Sequence, residues 1–307
     1  TRRSRDSSGR RKLQNLPAPE TMTKQIPFIK YHGMGNDWLV ALSSDLPSAL
    51  SSFARKILDR HTGAGADGLI IVMKPQVRGH DARIRFFNAD GSEAEMSGNG
   101  IRCAGAFLVE HHPPKRILEI ETVAGLKTLE KGKSSEGKWM FRVRMGAPIL
   151  TAAQIPFRPA ETASPILRFP LKTYRGELPV TVTSMGNPHC NVFVADFETV
   201  DWRRLGQEIE QNEHFPNRTN VEFVRLVSQD EVEVRFWERG VGHTMSSGTG
   251  SCGATVSAIL NGLTDRRVRV RTEAGTLQVA WPEGGEVTLT GPAVRVMSGK
   301  YLYSAGH

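Results

Sequence analysis

The chain reads as an α+β (mixed α/β) fold of two pseudo-symmetric domains, each a curved β-sheet wrapped around a central helix, with the functional cleft between them. Two observations carry that expectation: short motifs recur in the same order about 150 residues apart, and each copy holds a helix of small apolar residues between β-type runs. Met34-Gly35-Asn36 returns as Met185-Gly186-Asn187, and Arg85-Phe86-Phe87 as Arg235-Phe236-Trp237. Ser97-Gly98-Asn99-Gly100 returns as Ser247-Gly248-Thr249-Gly250, and Cys103-Ala104-Gly105 is echoed by Cys252-Gly253-Ala254, one residue short. One tripeptide match is chance; four in order at nearly one offset indicate duplication of a unit of ordinary domain size. Two copies are too few for a solenoid, so a facing pair is expected.

Each copy then follows one plan. A strand (28–31; 180–183) enters a Gly-Asn turn, and a second β-type run (82–88; 231–238) leads to a glycine-containing loop. That loop ends in Ser-Gly-x-Gly ahead of a helix (101–110; 252–261) rich in Ala, Cys, Val, Ile and Leu. A helix apolar on most sides is buried, which requires the sheet to wrap it. The prolines and charges of 147–170 suit a linker between copies.

Composition narrows the function classes. The formal charge of +8 resembles a nucleic-acid signature, but residues 1–21 hold six basic and two acidic side chains and so carry half of it. No basic stripe with interleaved aromatics occurs elsewhere, so no nucleic-acid partner is expected. Residues 1–22, rich in Ser and Arg, read as a disordered basic tail or a non-native extension, with Met22 as a natural initiator. No apolar run approaches the ~18 residues of a membrane span. Cys103, Cys190 and Cys252 show neither CxxC spacing nor an even count, so no disulfide framework and no metal site is expected, and a reducing, cytoplasmic setting is the default.

The chemistry of the repeat centres on Ser97 and Ser247, each before a glycine turn that opens a buried helix. Helix N-termini present unpaired N–H groups and a partial positive charge, and glycine lets a ligand approach that backbone. Two such ends on facing domains suit an anion such as a carboxylate, flanked on each side by one side chain. Serine is also an ordinary N-cap, and either serine alone carries no more than that. Asn36, Asn88, Asn187 and Asn220 offer amides at strand ends, and Glu238-Arg239 supplies a carboxylate beside a guanidinium. Taken singly, Asn in a turn usually serves the backbone.

At these residues the chain resembles the diaminopimelate epimerase family. The matching runs are FIKYHGMGND (28–37), RHTGAGADGL (60–69), FFNADGSEAEMSGNGIRC (86–103), SMGNPHC (184–190), RTNVEF (218–223) and ERGVGHTMSSGTGSC (238–252), in order from about residue 26 onward. The resemblance implies a first domain of 23–147 plus about 293–307 and a second of 148–292. It further implies interconversion of LL- and meso-diaminopimelate by two-base proton transfer without a cofactor, for lysine and peptidoglycan precursors, in a homodimer. On the same resemblance Asn36, Asn88, Asn187, Asn220, Glu238 and Arg239 bind the amino acid. Gly98-Asn99 and Gly248-Thr249 offer helix-end N–H groups to its α-carboxylate, and His189 and Glu238 tune the acid–base pair.

The family carries cysteine at the positions of Ser97 and Ser247, one thiolate removing the α-proton and the other thiol returning it. His243 is a second departure, at a position usually acidic. Cys103 and Cys252 sit too far inside their helices to substitute. Two accounts of the paired serines stand side by side: a Cys→Ser double variant of an active epimerase, or a diverged homologue that binds diaminopimelate or another amino acid without efficient epimerisation.

Overall fold

A computed structural model describes residues 23–304 apart from 114, 136 and 160–162; the expected tail at 1–22 lies outside the described residues. The first copy runs β1 (Lys24–Gly33), β2 (Asn36–Leu42), α1 (Leu50–Leu58), β3 (Gly68–Met73), β4 (Ala82–Asn88), β5 (Glu93–Ala94), α2 (Gly98–His111), β6 (Ile117–Thr122), β7 (Gly125–Ser135) and β8 (Lys138–Gly146). The second adds a leading strand, β9 (Ile166–Thr173), and then repeats the order. It continues with β10 (Gly176–Ser184), β11 (Pro188–Val194), α3 (Trp202–Glu210), β12 (Asn220–Ser228), β13 (Glu231–Glu238), β14 (Gly242–Thr244), α4 (Gly248–Leu260), β15 (Arg267–Thr272), β16 (Gly275–Ala280) and β17 (Val287–Tyr303).

Strand pairing repeats as faithfully as element order. β1–β2 is antiparallel, β2–β3 parallel, β3–β4 antiparallel and β4–β6 parallel. β10–β11, β11–β12, β12–β13 and β13–β15 follow the same sequence of senses. The first hairpin needs positive φ at both turn residues, and Met34 (58°) and Gly35 (81°) supply it. β17 joins the copies: 287–294 pair with β8, and 294–303 run along β1. In the corresponding place of the second copy, β9 pairs with β10.

The sheets bury both faces, which explains why β3 reads GLIIVM rather than alternating. Adjacent side chains of a strand point to opposite faces. Phe86 therefore packs on α2 while Phe87 packs under α1, and in the second copy Phe236 faces inward while Trp237 packs under α3. The repeated aromatic doublets are thus one inner and one outer residue. One apolar core extends through both copies, from Ile101 and Phe141 to Val256 and Leu289. Among the described residues, no helix is long and apolar enough to cross a membrane.

Two local expectations need correction. The central helices begin at Gly98 and Gly248, directly after the serines, not at 101 and 252. The glycine turn is itself the first helical turn, because Ser97 Oγ accepts from Gly100 N–H (3.0 Å) and Ser247 Oγ from Gly250 N–H (3.2 Å). The expected linker of 147–170 ends early in β9, whose Ile166 and Leu171 are drawn into the second copy's core. The outer helices α1 and α3, outside the repeated motifs, form because Phe53, Ile57 and Leu58, and Trp202, Leu205 and Ile209, place an apolar stripe at helical spacing.

Candidate active site

α2 and α4 meet start to start. A Cβ built on Gly98 would lie 3.4 Å from Gly248 Cα, and one on Gly248 would lie 3.3 Å from Gly98 Cα. A side chain at either position would fill the gap and press on the facing helix end. Both N-cap serines are extended (φ −132° and −126°), and each spends one lone pair on its own helix. The first N–H groups of both helices, with the positive ends of both dipoles, therefore converge on one place.

That place opens into a cavity of about 1300 Å³ lined from both copies. Ser97, Gly98 and Asn99 face it from one helix, and Ser247, Gly248 and Thr249 from the other. Asn36, Asn88, Asn187, Glu238, Arg239 and His243 also reach it, and Met34, Met96, Met145, Met185 and Met245 supply apolar wall. Thioether side chains are flexible and polarizable, which suits a wall that adapts to its ligand. Two sequence-selected residues, His189 and Asn220, stand behind this wall rather than in it.

Hydrogen bonding sorts the amides. Asn36 donates to Asp67 (2.9 Å) and accepts from Trp38 Nε1, so both ends of its amide are engaged. Asn88 donates to Ser92 Oγ (2.9 Å). Asn220 donates to Pro188 O (2.9 Å) and accepts from Arg239 N–H (3.0 Å), which fixes the backbone that carries the Arg239 guanidinium. Asn187 Oδ1 lies 3.0 Å from His189 Nε2, and Nδ2 turns toward Thr249 Oγ1 (3.4 Å).

The two serines have unequal surroundings. On the Ser247 side stands the Glu238 carboxyl, which accepts from Thr244 Oγ1 (2.8 Å) and has the Ser247 hydroxyl nearby. Burial pushes the Glu238 carboxyl above its ordinary range, against the pull of those hydroxyls and of His189. On the other side, the residue after Ser97 is held by Arg102, which is fully buried. The Arg102 guanidinium donates to Gly98 O (2.6 Å), Asn99 Oδ1 (2.6 Å) and Pro292 O (3.1 Å). Burial brings it down to about 10, so it remains cationic at neutral pH and adds positive charge at the start of α2. His243 Nε2 lies 2.6 Å from Glu273 Oε2 with Trp202 edge-on to its ring, and so faces the cavity with that nitrogen engaged.

Arg102 and Glu222 carry no weight in the motif reading, yet both hold the site together. The signal for each is a charged residue in an otherwise apolar element, GNGIRCAGAFLV for Arg102 and NVEFV for Glu222. Asp37 and Asp67 form a third group, bracing Asn36; Arg60 bridges both at 2.7 Å. Burial alone would raise the Asp37 carboxyl, but Arg60, Lys30 and the Asp67 N–H together bring it down to about 2. Among the described residues, no group of three or more His, Cys, Asp or Glu side chains is placed to hold a metal ion.

The diaminopimelate epimerase family model matches residues 28–151 and 181–298. The chain is 43% identical over 284 residues to a diaminopimelate epimerase of Halothermothrix orenii, covering 92% of this chain and all of that protein. It is 42% identical to one of Pelotomaculum thermopropionicum, over 90% of this chain and 99% of that protein. Among solved structures, a hydroxyproline epimerase from Agrobacterium vitis with bound trans-4-hydroxy-L-proline superposes with a TM-score of 0.66 at 14% identity, over 92% of this chain and 94% of that one. A phenazine biosynthesis protein of Bacillus anthracis gives 0.61 at 20% identity, over 90% of this chain and 99% of that one. These two likenesses establish the two-domain fold.

Proposed function

Because the chain belongs to the diaminopimelate epimerase family, we propose that it binds diaminopimelate between α2 and α4 and moves one α-proton between the two faces of that carbon without a cofactor. The observation that carries this reading is the start-to-start meeting of the two helices at Gly98 and Gly248. An α-carboxylate held by both helix ends would have Ser97 and Ser247 flanking the α-carbon, the geometry that stereoinversion by two bases needs. Glu238 and Arg239 supply opposite charges for the ammonium–carboxylate end, with Asn36, Asn88 and Asn187 around them. The working units are 23–147 with about 293–307, and 148–292; the pairing of β17 with β16 at 288–290 and with β1 from 294 onward supports that division. The family resemblance implies a cytoplasmic homodimer.

The serine pair favours a second reading of the same site: a binding-competent homologue with little epimerase activity. A hydroxyl forms its conjugate base far less readily than a thiol, whereas amides, guanidinium and helix ends bind a ligand regardless. Thermal unfolding with LL-diaminopimelate tests the shared premise. At about 100 times its dissociation constant a ligand adds ~2.7 kcal/mol to stability. A clear upward shift is expected; no shift with diaminopimelate beside a shift with a different amino acid would refute diaminopimelate as the substrate and favour the diverged homologue that binds another amino acid.

A further inference from the structure

Behind the cavity wall, β11 and β12 run parallel and bring His189 and Glu222 side by side. His189 Nδ1 lies 2.7 Å from Glu222 Oε1 and its Nε2 lies 3.0 Å from Asn187 Oδ1, with the two side chains 0% and 1% exposed. α4 clamps the pair. A Cβ on Gly253 would lie 3.0 Å from His189 Cβ and Cγ, and one on Gly250 would lie 2.8 Å from Glu222 Oε1. The chain Glu222–His189–Asn187 ends at the start of α4, where Asn187 Nδ2 faces Thr249 Oγ1 and the cavity.

Counting protons shows what this chain does. An unpaired buried charge is costly, so burial selects a Glu222–His189 pair with no net charge. With a carboxylate and an imidazolium, both ring nitrogens carry hydrogen. With a neutral carboxyl donating to Nδ1, the one ring hydrogen is on Nε2. The remaining neutral arrangement puts the carboxyl hydrogen on Oε2, which is buried and has no hydrogen-bond partner among the described residues. Both hydrogen-bonded arrangements therefore place a hydrogen on Nε2, and Asn187 must answer it with its carbonyl oxygen.

We propose that Glu222 is a positioning residue that acts through His189 to hold the Asn187 amide with its NH₂ toward the cavity, as a donor to a ligand carboxylate. Burial pushes the Glu222 carboxyl above its ordinary range, and the nearby Glu238 carboxyl pushes the same way. Both favour the neutral pair. Without this constraint an Asn amide is free to present either end. The assignment of a carboxylate as the ligand group rests on the amino-acid reading of the cavity; the orientation of Asn187 does not.

The test is ¹⁵N NMR of the full chain labelled at histidine, with His189→Gln identifying the His189 signals. A hydrogen-bearing Nε2 is expected between pH 6 and 8. In Glu222→Gln the side-chain amide can serve Nδ1 as donor or acceptor, so the Nε2 hydrogen is expected to fall to a partial population. LL-diaminopimelate, titrated calorimetrically, is expected to bind that variant about tenfold more weakly. A bare Nε2 in the unsubstituted protein overturns the proposal, and so does a Glu222→Gln form in which the Nε2 hydrogen and the affinity do not fall together. If Glu222→Gln does not fold, the spectrum of the unsubstituted chain decides. If the unsubstituted chain fails to bind diaminopimelate, the amino-acid reading fails while the spectrum still decides the orientation.

Discussion

Restoring thiols at both helix ends, Ser97→Cys with Ser247→Cys, is expected to raise epimerisation of diaminopimelate by orders of magnitude. A thiol has an unperturbed pKa of about 8.5, whereas a hydroxyl more like water's ~15.7 starts roughly 7 units higher. At 1.36 kcal/mol per unit that difference is ~9–10 kcal/mol for making the base form. Each Oγ already accepts one helix N–H, at 3.0 Å and 3.2 Å. A helix end stabilises an anion by up to ~2 kcal/mol, but it does so for alkoxide and thiolate alike. Even a third of the difference is more than a hundredfold in rate. The two positions should not be equivalent. A thiolate at 97 would sit near the Arg102 cation, while a thiol at 247 would sit against the Glu238 carboxyl. Ser97→Cys alone is therefore expected to exchange the α-proton on one face with little inversion. The assay is deuterium uptake from D₂O into LL-diaminopimelate by ¹H NMR, with chiral chromatography for the meso product. A double-cysteine protein that binds diaminopimelate and stays inactive would refute the reasoning, as would an unsubstituted protein that is already fast.

Glu238→Gln should be the more stable form at pH 8. A folded carboxyl held above its unfolded value contributes its stability below the unfolded pKa of about 4.3 and loses it as the pH rises through the folded value. Equal denaturation midpoints for the two proteins from pH 4 to pH 8 would count against this. Arg102→Met strands the Gly98, Asn99 and Pro292 oxygens; a buried acceptor left unsatisfied costs ~1–3 kcal/mol, so urea unfolding should lose at least about 3 kcal/mol in total. An unchanged urea midpoint would show that the oxygens find other donors. Gly253→Ala pushes a methyl to 3.0 Å from the His189 ring carbon, an overpacking cost of ~1–3 kcal/mol set against ~1 kcal/mol of gained helix propensity. Net destabilisation is expected, and a stabilised variant would mean that α4 moves away from β11 freely.

The duplication was legible in the sequence because it leaves a literal trace: motifs such as Ser-Gly-x-Gly recur where backbone geometry admits few residue types. The apolar central helices were legible for a similar reason, since a helix without a polar face can only be buried. Ser97 and Ser247 could be picked because each opens a glycine turn at a buried helix, whereas Glu238 and Arg239 were picked only through the family resemblance. The tertiary structure alone decided which of the picked polar groups face the cavity. Asn220 and His189 sit in motifs as specific as that of Asn187, yet the pairing of β11 with β12 turns them behind the wall. The roles of Arg102 and Glu222 were not legible for the converse reason. Their partners, Pro292 O and His189 Nδ1, lie 190 and 33 residues away in the chain. The meeting of Gly98 with Gly248 belongs to the same class, because a contact between two copies is written in neither copy. Local sequence specifies turns, caps and apolar faces; the desolvation of a charge, and the partner that compensates it, exist only once distant strands have packed.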